Sequence, residues 1–370
     1  GESAASQAHW PLRPLACAAM SIFASAFSPE GTHLLAATGD GDLHIWRLAA
    51  GAPERAPPPA ATHRLHSCAI YSLTFVPTAR GLLLLSGSDE DVRGWRWEEL
   101  LGGATPRPLL TLQNPRLSLR RGGLGPLSET TALAHDAASG AVYSAAGDGN
   151  AYAWDLEAER VVATFSGHEN MLHGIGLRTE RRQLVTGSED GTCRLWDLRS
   201  AACTATLLAG GAAQAVGGGG KGGGAPIPAA ASGGGDEARS EGGGTDWCGC
   251  LSVDDSETWL VAGWGRGFLC TFELNTLACL ACLPTAAPPQ AVAFRPGSTS
   301  DVISAGAEKS LYHWTVTGDL MTRAVCASPS IFTLAAKTSE RDGLLVAAGG
   351  ASGRLDVFCD LSHRAYSLSV

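Results

Sequence analysis

The chain has 370 residues, 45% hydrophobic and 17% charged, with 47 glycines and a formal net charge of −9. That is ample material for a core, and the acidic balance excludes a protein that wraps nucleic acid by itself, which needs lysine and arginine to neutralise phosphates. Eleven cysteines without regular spacing argue against a secreted disulfide framework and for a reducing cytosolic or nuclear home, while the lack of a leader pattern or of an apolar run of roughly 18 to 20 residues argues against secretion and membrane insertion.

The chain begins at Gly1 rather than a methionine, so its true N-terminus is open. Residues 1–18 are either a ring-closing strand or disordered. From residue 19 onward one pattern recurs: a turn acid followed six residues later by a strand tryptophan, in Asp40 with Trp46, Asp89 with Trp95, Asp148 with Trp154, Asp190 with Trp196, and Glu308 with Trp314. The same register lands on Arg266 with Phe272 and Ser352 with Phe358, where the aromatic is kept without the acid. Seven units at roughly the 40 to 45 residues of a WD repeat predict an all-β fold, a seven-bladed WD-repeat β-propeller of four-stranded antiparallel blades spanning 19–370.

Unit four is the clearest. His168 precedes an apolar stretch through Ile175 and Leu177, residues 183–187 form a second strand, Glu189-Asp190-Gly191 a tight turn, 192–198 a third strand, and 203–208 the outer one. Three longer gaps separate the aromatics. One holds Pro53 and Pro57, one Pro106, Pro108, Pro115 and Pro126, and the third a glycine-rich insert at about 209–245, read as a disordered loop. The last segment, 364–370, alternates as a strand where the outer strand of blade seven belongs. With it in place, closure needs no N-terminal strand, although one before Met20 is the more usual arrangement.

His168, Asp190 and Thr186 or Ser188 have the composition of a nucleophile–base–orienter triad. The same residues with Trp196 also suit a buried hydrogen-bond chain that ties a blade's loop to its strands, and that reading is preferred. His66, Ser86 or Ser88, Asp89 and Trp95 offer a second set. No catalytic motif survives inspection: Lys221 is followed by Gly222 rather than Ser or Thr, and neither HExxH nor GxSxG occurs. Cys248, Cys250, Cys279 and Cys282 lack a partner pair at zinc spacing and read as core thiols. No enzyme activity, cofactor, metal or small-molecule substrate is expected. The basic clusters Arg116, Arg120, Arg121 and Arg178, Arg181, Arg182 are either solvated loop charge or a patch for RNA phosphate or an acidic partner.

Several segments resemble the THO complex subunit 6 family: Ile22-Phe23 with Ser28-Pro29, Ile70-Tyr71-Ser72, His168 with Trp196 to Arg199, Trp247 with Cys250-Leu251, Ser304-Ala305-Gly306, Arg354 to Phe358, and the ending Arg364-Ala365-Tyr366-Ser367-Leu368-Ser369. The resemblance implies a nuclear scaffold, with a cytoplasmic pool left open, that joins other THO complex subunits, couples transcription to mRNA processing and export, and touches RNA only indirectly. The insert and the missing turn acids of units five and seven depart from it. Trp196-Asp197-Leu198-Arg199 also fits the WDxR box of cullin-RING ligase substrate receptors, which implies a second partner, the ligase adaptor. Candidate partner-binding residues are Arg199, Asp197, Glu169, Met171, Glu189 and Trp264.

Overall fold

A computed structural model describes residues 20–48, 56–103, 105–116, 127–210, 213–215, 247–339 and 343–370. Their strands form seven antiparallel sheets, each built from consecutive segments of chain. Blade one runs Ile22–Phe27, His33–Thr38, Asp42–Arg47 and Ala61–Arg64. Blade four runs Leu172–Arg178, Gln183–Ser188, Thr192–Asp197 and Cys203–Leu208, and Ala213–Ala215 pairs outside it as a fifth strand. Apart from that strand and residues 209–210, the insert expected at 209–245 lies outside the described residues, as do the segment 1–18 and the basic residues Arg120 and Arg121.

The first strand of every blade lines a central cavity of about 270 Å³, and the fourth forms the rim. Second strands are buried almost throughout, because each blade is sandwiched between two neighbours. The core is therefore divided into seven clusters, each shared between adjacent blades. Each cluster contains one of the seven third-strand aromatics, packed toward the preceding blade: Trp95 joins the cluster of blades one and two, for instance, and Trp196 that of blades three and four. Burying such a ring removes some 150–250 Å² from water, about 4–6 kcal/mol of gross stabilisation.

Ring closure uses the same device. Trp46 and Ile22 of blade one pack with Leu345, Val357 and Leu368 of blade seven, and the Ser25 amide donates to Thr333 Oγ1 at 3.0 Å. Blade seven takes its outer strand from Arg364–Ser369, which pairs with Ser352–Phe358. One element had no counterpart in the sequence reading. The short helix Trp97–Leu101 follows the third strand of blade two and buries Trp97 and Leu100, with Trp97 edge-on to Phe75 at 5.1 Å.

A buried indole N–H needs an acceptor. In blades two, three, four and six the indole donates to a second-strand hydroxyl: Trp95 to Ser86, Trp154 to Ser144, Trp196 to Thr186 and Trp314 to Ser304, at 2.8–2.9 Å. Blades five and seven carry phenylalanine instead, and the matching positions are Ala262 and Ala348. Blade one breaks this rule, pairing Trp46 with Ala36 in the hydroxyl register, so that Trp46 Nε1 is buried with no hydrogen-bond partner among the described residues. Ala36→Ser supplies the acceptor and should raise the free energy of unfolding by about 1 kcal/mol, seen as a higher urea midpoint at unchanged slope. An unchanged or lower midpoint contradicts it.

Candidate functional site

In blade four the indole–hydroxyl bond extends to the turn. Thr186 Oγ1 lies 2.7 Å from His168 Nε2, and His168 Nδ1 lies 2.8 Å from Asp190 Oδ2. An indole nitrogen only donates and a carboxylate only accepts, so the chain of donors runs one way, from Trp196 through Thr186 and a neutral His168 to Asp190. Burial pushes the His168 imidazole below its usual range, which keeps it neutral. For Asp190, burial alone would raise the carboxyl; the bonds from His168, Thr192 and the Glu169 amide outweigh that and hold it far below the usual carboxylate range. Asp190 also caps its own turn by accepting from the Thr192 amide and hydroxyl, and Gly191 supplies the positive φ of 84° that the turn requires. Ser188 is not in this chain. It donates to the Asn170 carbonyl and accepts from the Asp190 amide.

This geometry suits anchoring rather than acyl transfer. Thr186 and the His168 side chain are fully buried, and the hydroxyl is already engaged by the indole. The Glu169 amide donates to Asp190 Oδ2, which pins the loop entering blade four to the turn.

Blade two corrects the expected acid. His66 Nε2 meets Ser86 Oγ at 2.7 Å, but His66 Nδ1 faces Asp91 at 3.3 Å, not Asp89, and Asp91 also takes Arg93 Nε at 3.0 Å. Trp95 follows its hydroxyl partner by nine residues, where Trp154, Trp196 and Trp314 follow theirs by ten. The turn Asp89-Glu90-Asp91 is thus one residue shorter and contains no glycine, and counting back from the tryptophan selects the wrong aspartate. Burial alone would raise the Asp91 carboxyl, but His66 and the Arg93 guanidinium hold it below its usual range.

Blade seven hides another acid. Asp356, fully buried on the third strand, accepts from the Ala327 amide, Arg364 and Ser367, so it anchors the entering loop as Asp190 does in blade four. No turn signal could have found it, because the carboxylate sits on the strand.

The candidate partner residues do not converge. Exposed Arg199 and half-buried Asp197 lie at the turn between the third and fourth strands, where Asp197 Oδ1 accepts the amides of Arg199 and Ser200. Glu169, Met171 and Glu189 lie at the opposite face, beside the turn acids; Glu189 accepts from His173 Nε2 at 3.1 Å. Trp264 is on neither surface. It is fully buried between blades four and five, its indole donating to the Gly191 carbonyl at 3.3 Å, because its side chain turns into the inter-blade core.

Arg178 likewise leaves the basic patch. It is 3% exposed and binds the Glu257 carbonyl, Gln183 and Asn275, bridging blades four and five, which leaves exposed Arg181 and Arg182 alone. Cys282 is not a free core thiol either. It forms a disulfide with Cys270, the residue opposite it on the neighbouring strand at a Cα separation of 4.4 Å, and Cys279 Sγ lies 3.8 Å from Cys282 Sγ.

Similarity to known proteins follows the whole ring. The family model "WD domain, G-beta repeat" matches residues 11–47 and 159–197. THO complex subunit 6 of Arabidopsis thaliana is 31% identical over 308 residues, which is 81% of this chain and 74% of the relative. The chain belongs to the THO complex subunit 6 family. The Rattus norvegicus THO complex subunit 6 homolog and Homo sapiens THO complex subunit 6 are each 29% identical over 357 residues, 95% of this chain and 93% of each relative.

Within this THO complex subunit 6 family member, the segments beginning Ile22-Phe23 and Ile70-Tyr71 bring Phe23 and Tyr71 to the central cavity, and Arg364–Ser369 supplies the last strand of the ring. The two aspartates of blade two separate under mutation. Asp91→Asn should cost about 2 kcal/mol or more, because it weakens a buried pairing with His66 and Arg93. Asp89→Asn should stay within about 0.5 kcal/mol. Equal effects in chemical denaturation contradict the assignment.

Proposed function

We propose that this chain is a non-catalytic WD-repeat scaffold of a nuclear THO complex, holding other THO subunits where messenger RNA is processed and exported in step with transcription. The observation that carries this reading is similarity to THO complex subunit 6 proteins over 81–95% of the chain. The anchoring geometry of His168, Thr186 and Asp190 supports the non-catalytic part, because their hydrogen-bonding capacity is spent inside the blade. The net charge of −9 fits contact with RNA through partners rather than directly. Among the described residues no helix is long and apolar enough to cross a membrane.

A second reading rests on Arg199, exposed just past the third strand while Asp197 is occupied by backbone amides. An arginine so placed is available to a ligase adaptor. Affinity purification of the tagged chain from nuclear extract discriminates the two. The scaffold reading expects THO subunits in stoichiometric amount, unaffected by Arg199→Ala. Recovery of only a cullin and its adaptor, lost on Arg199→Ala at unchanged melting temperature, overturns it.

A further inference from the structure

The wall of the central cavity is layered. Counting from the turn-acid face, the second residue of each first strand points into the mouth and the fourth forms the layer beneath. The lower layer is apolar in six of seven blades: Leu73, Leu133, Ile175, Leu251, Val292 and Leu334. The upper layer is aromatic on one side. Phe332, Phe23 and Tyr71 come from three consecutive blades, with Phe332 and Phe23 stacked at 5.5 Å and Tyr71 tilted against Phe23 at 5.6 Å. On the far side His173 stands 6.3 Å from Trp247, and Gln290 completes the rim.

The turns around this mouth carry both signs of charge, with Arg266 and Lys309 on those of blades five and six. The buried or turn acids Asp91, Asp190 and Glu308 each have an arginine beside them, Arg93, Arg194 and Arg323. Glu189 does not. Among the described residues its ion pair is with His173, which lines the cavity, so the carboxylate stands directly behind a cavity-lining side chain. Glu129, directly before the first strand of blade three, lies against Gly147 on the same side.

We propose that this mouth binds an arginine side chain presented by a basic segment of a protein partner. A guanidinium is flat, stacks on aromatic faces, and carries donors along its edge that match a carboxylate and an amide oxygen. The Phe332–Phe23–Tyr71 array supplies the faces; across the mouth Gln290 Oε1, which already accepts from Ser330, and Glu189, behind His173, are the acceptors a guanidinium edge would reach toward. The aliphatic layer beneath stops the side chain at the depth of the rings. A lysine ammonium would gain the charge but lose the stacking. An apolar side chain would gain the lower layer but leave the acceptors across the mouth unused. The site deepens the scaffold reading by naming what this face takes hold of, yet peptide binding to the isolated chain succeeds or fails independently of THO recovery.

The test is fluorescence anisotropy of the full chain with a labelled Gly-Ser peptide carrying two central arginines, against the same peptide with citrulline, lysine or norleucine in their place. The arginine peptide should bind at least tenfold more tightly than the citrulline peptide and several-fold more tightly than the lysine peptide. Phe23→Leu and Phe332→Leu should each lower arginine affinity by about tenfold, the loss of roughly one cation–π contact of 1–2 kcal/mol, at unchanged melting temperature. Glu189→Gln should weaken it as well. Equal binding of arginine and lysine peptides, insensitive to Phe23→Leu, would mean diffuse electrostatics and overturn the proposal. So would preference for the norleucine peptide, or binding of oligouridine RNA in place of the peptide. The peptide comparisons use the unmutated chain, so misfolding of a variant does not blunt them.

Discussion

A tryptophan wedged between two blades must have its indole N–H satisfied where water cannot reach or bear the cost of leaving it bare, as Trp46 does, and that demand shapes the rest of this ring. Where the third strand carries Trp95, Trp154, Trp196 or Trp314, the second strand offers a serine or threonine two residues along from the position facing it; where it carries phenylalanine, the second strand offers alanine. Net contributions of single hydrogen bonds are small, but a buried donor left unpaired costs about 1–3 kcal/mol. Outside blade one, where Trp46 meets Ala36, aromatic and hydroxyl are therefore one choice rather than two. From that pair the histidine and acid of blade four extend outward, so that interior packing sets the position of a surface loop.

The same coupling explains what could be read from sequence. The aromatic stands at a nearly constant distance from the turn because both belong to one hairpin, and seven blades followed from that spacing alone. Blade two shows its limit. The turn is one residue shorter and the acid also stands one residue later from the hydroxyl, so Asp91 holds His66 from four residues before the ring while spacing pointed to Asp89. Asp356 escaped because it serves the loop from the strand rather than the turn. Trp264 was misjudged for the converse reason: its place beside a turn says nothing about which way its side chain points, and it points into the core. The Cys270–Cys282 pair depends on cross-strand register over twelve residues, which composition does not reveal.

Two faces result, with different chemistry. One carries the turn acids, the loop anchored by Asp190 and the aromatic mouth of the central cavity; the other carries Arg199 and the bridge from Arg178 to blade five. A rigid ring that presents two unlike surfaces fits the proposed scaffold role, and the interior leaves its loops free to differ without loss of the core.

Hydrogen exchange of the tryptophan indoles tests the central coupling most directly. In Thr186→Val, which keeps the side-chain shape and removes the hydroxyl, the Trp196 indole proton and the Glu169 amide should both exchange faster, while Trp154 and Trp314, held by Ser144 and Ser304, keep their protection. Acceleration at Trp196 with an unchanged Glu169 amide would contradict the claim that interior packing positions the surface loop, as would equal acceleration in every blade.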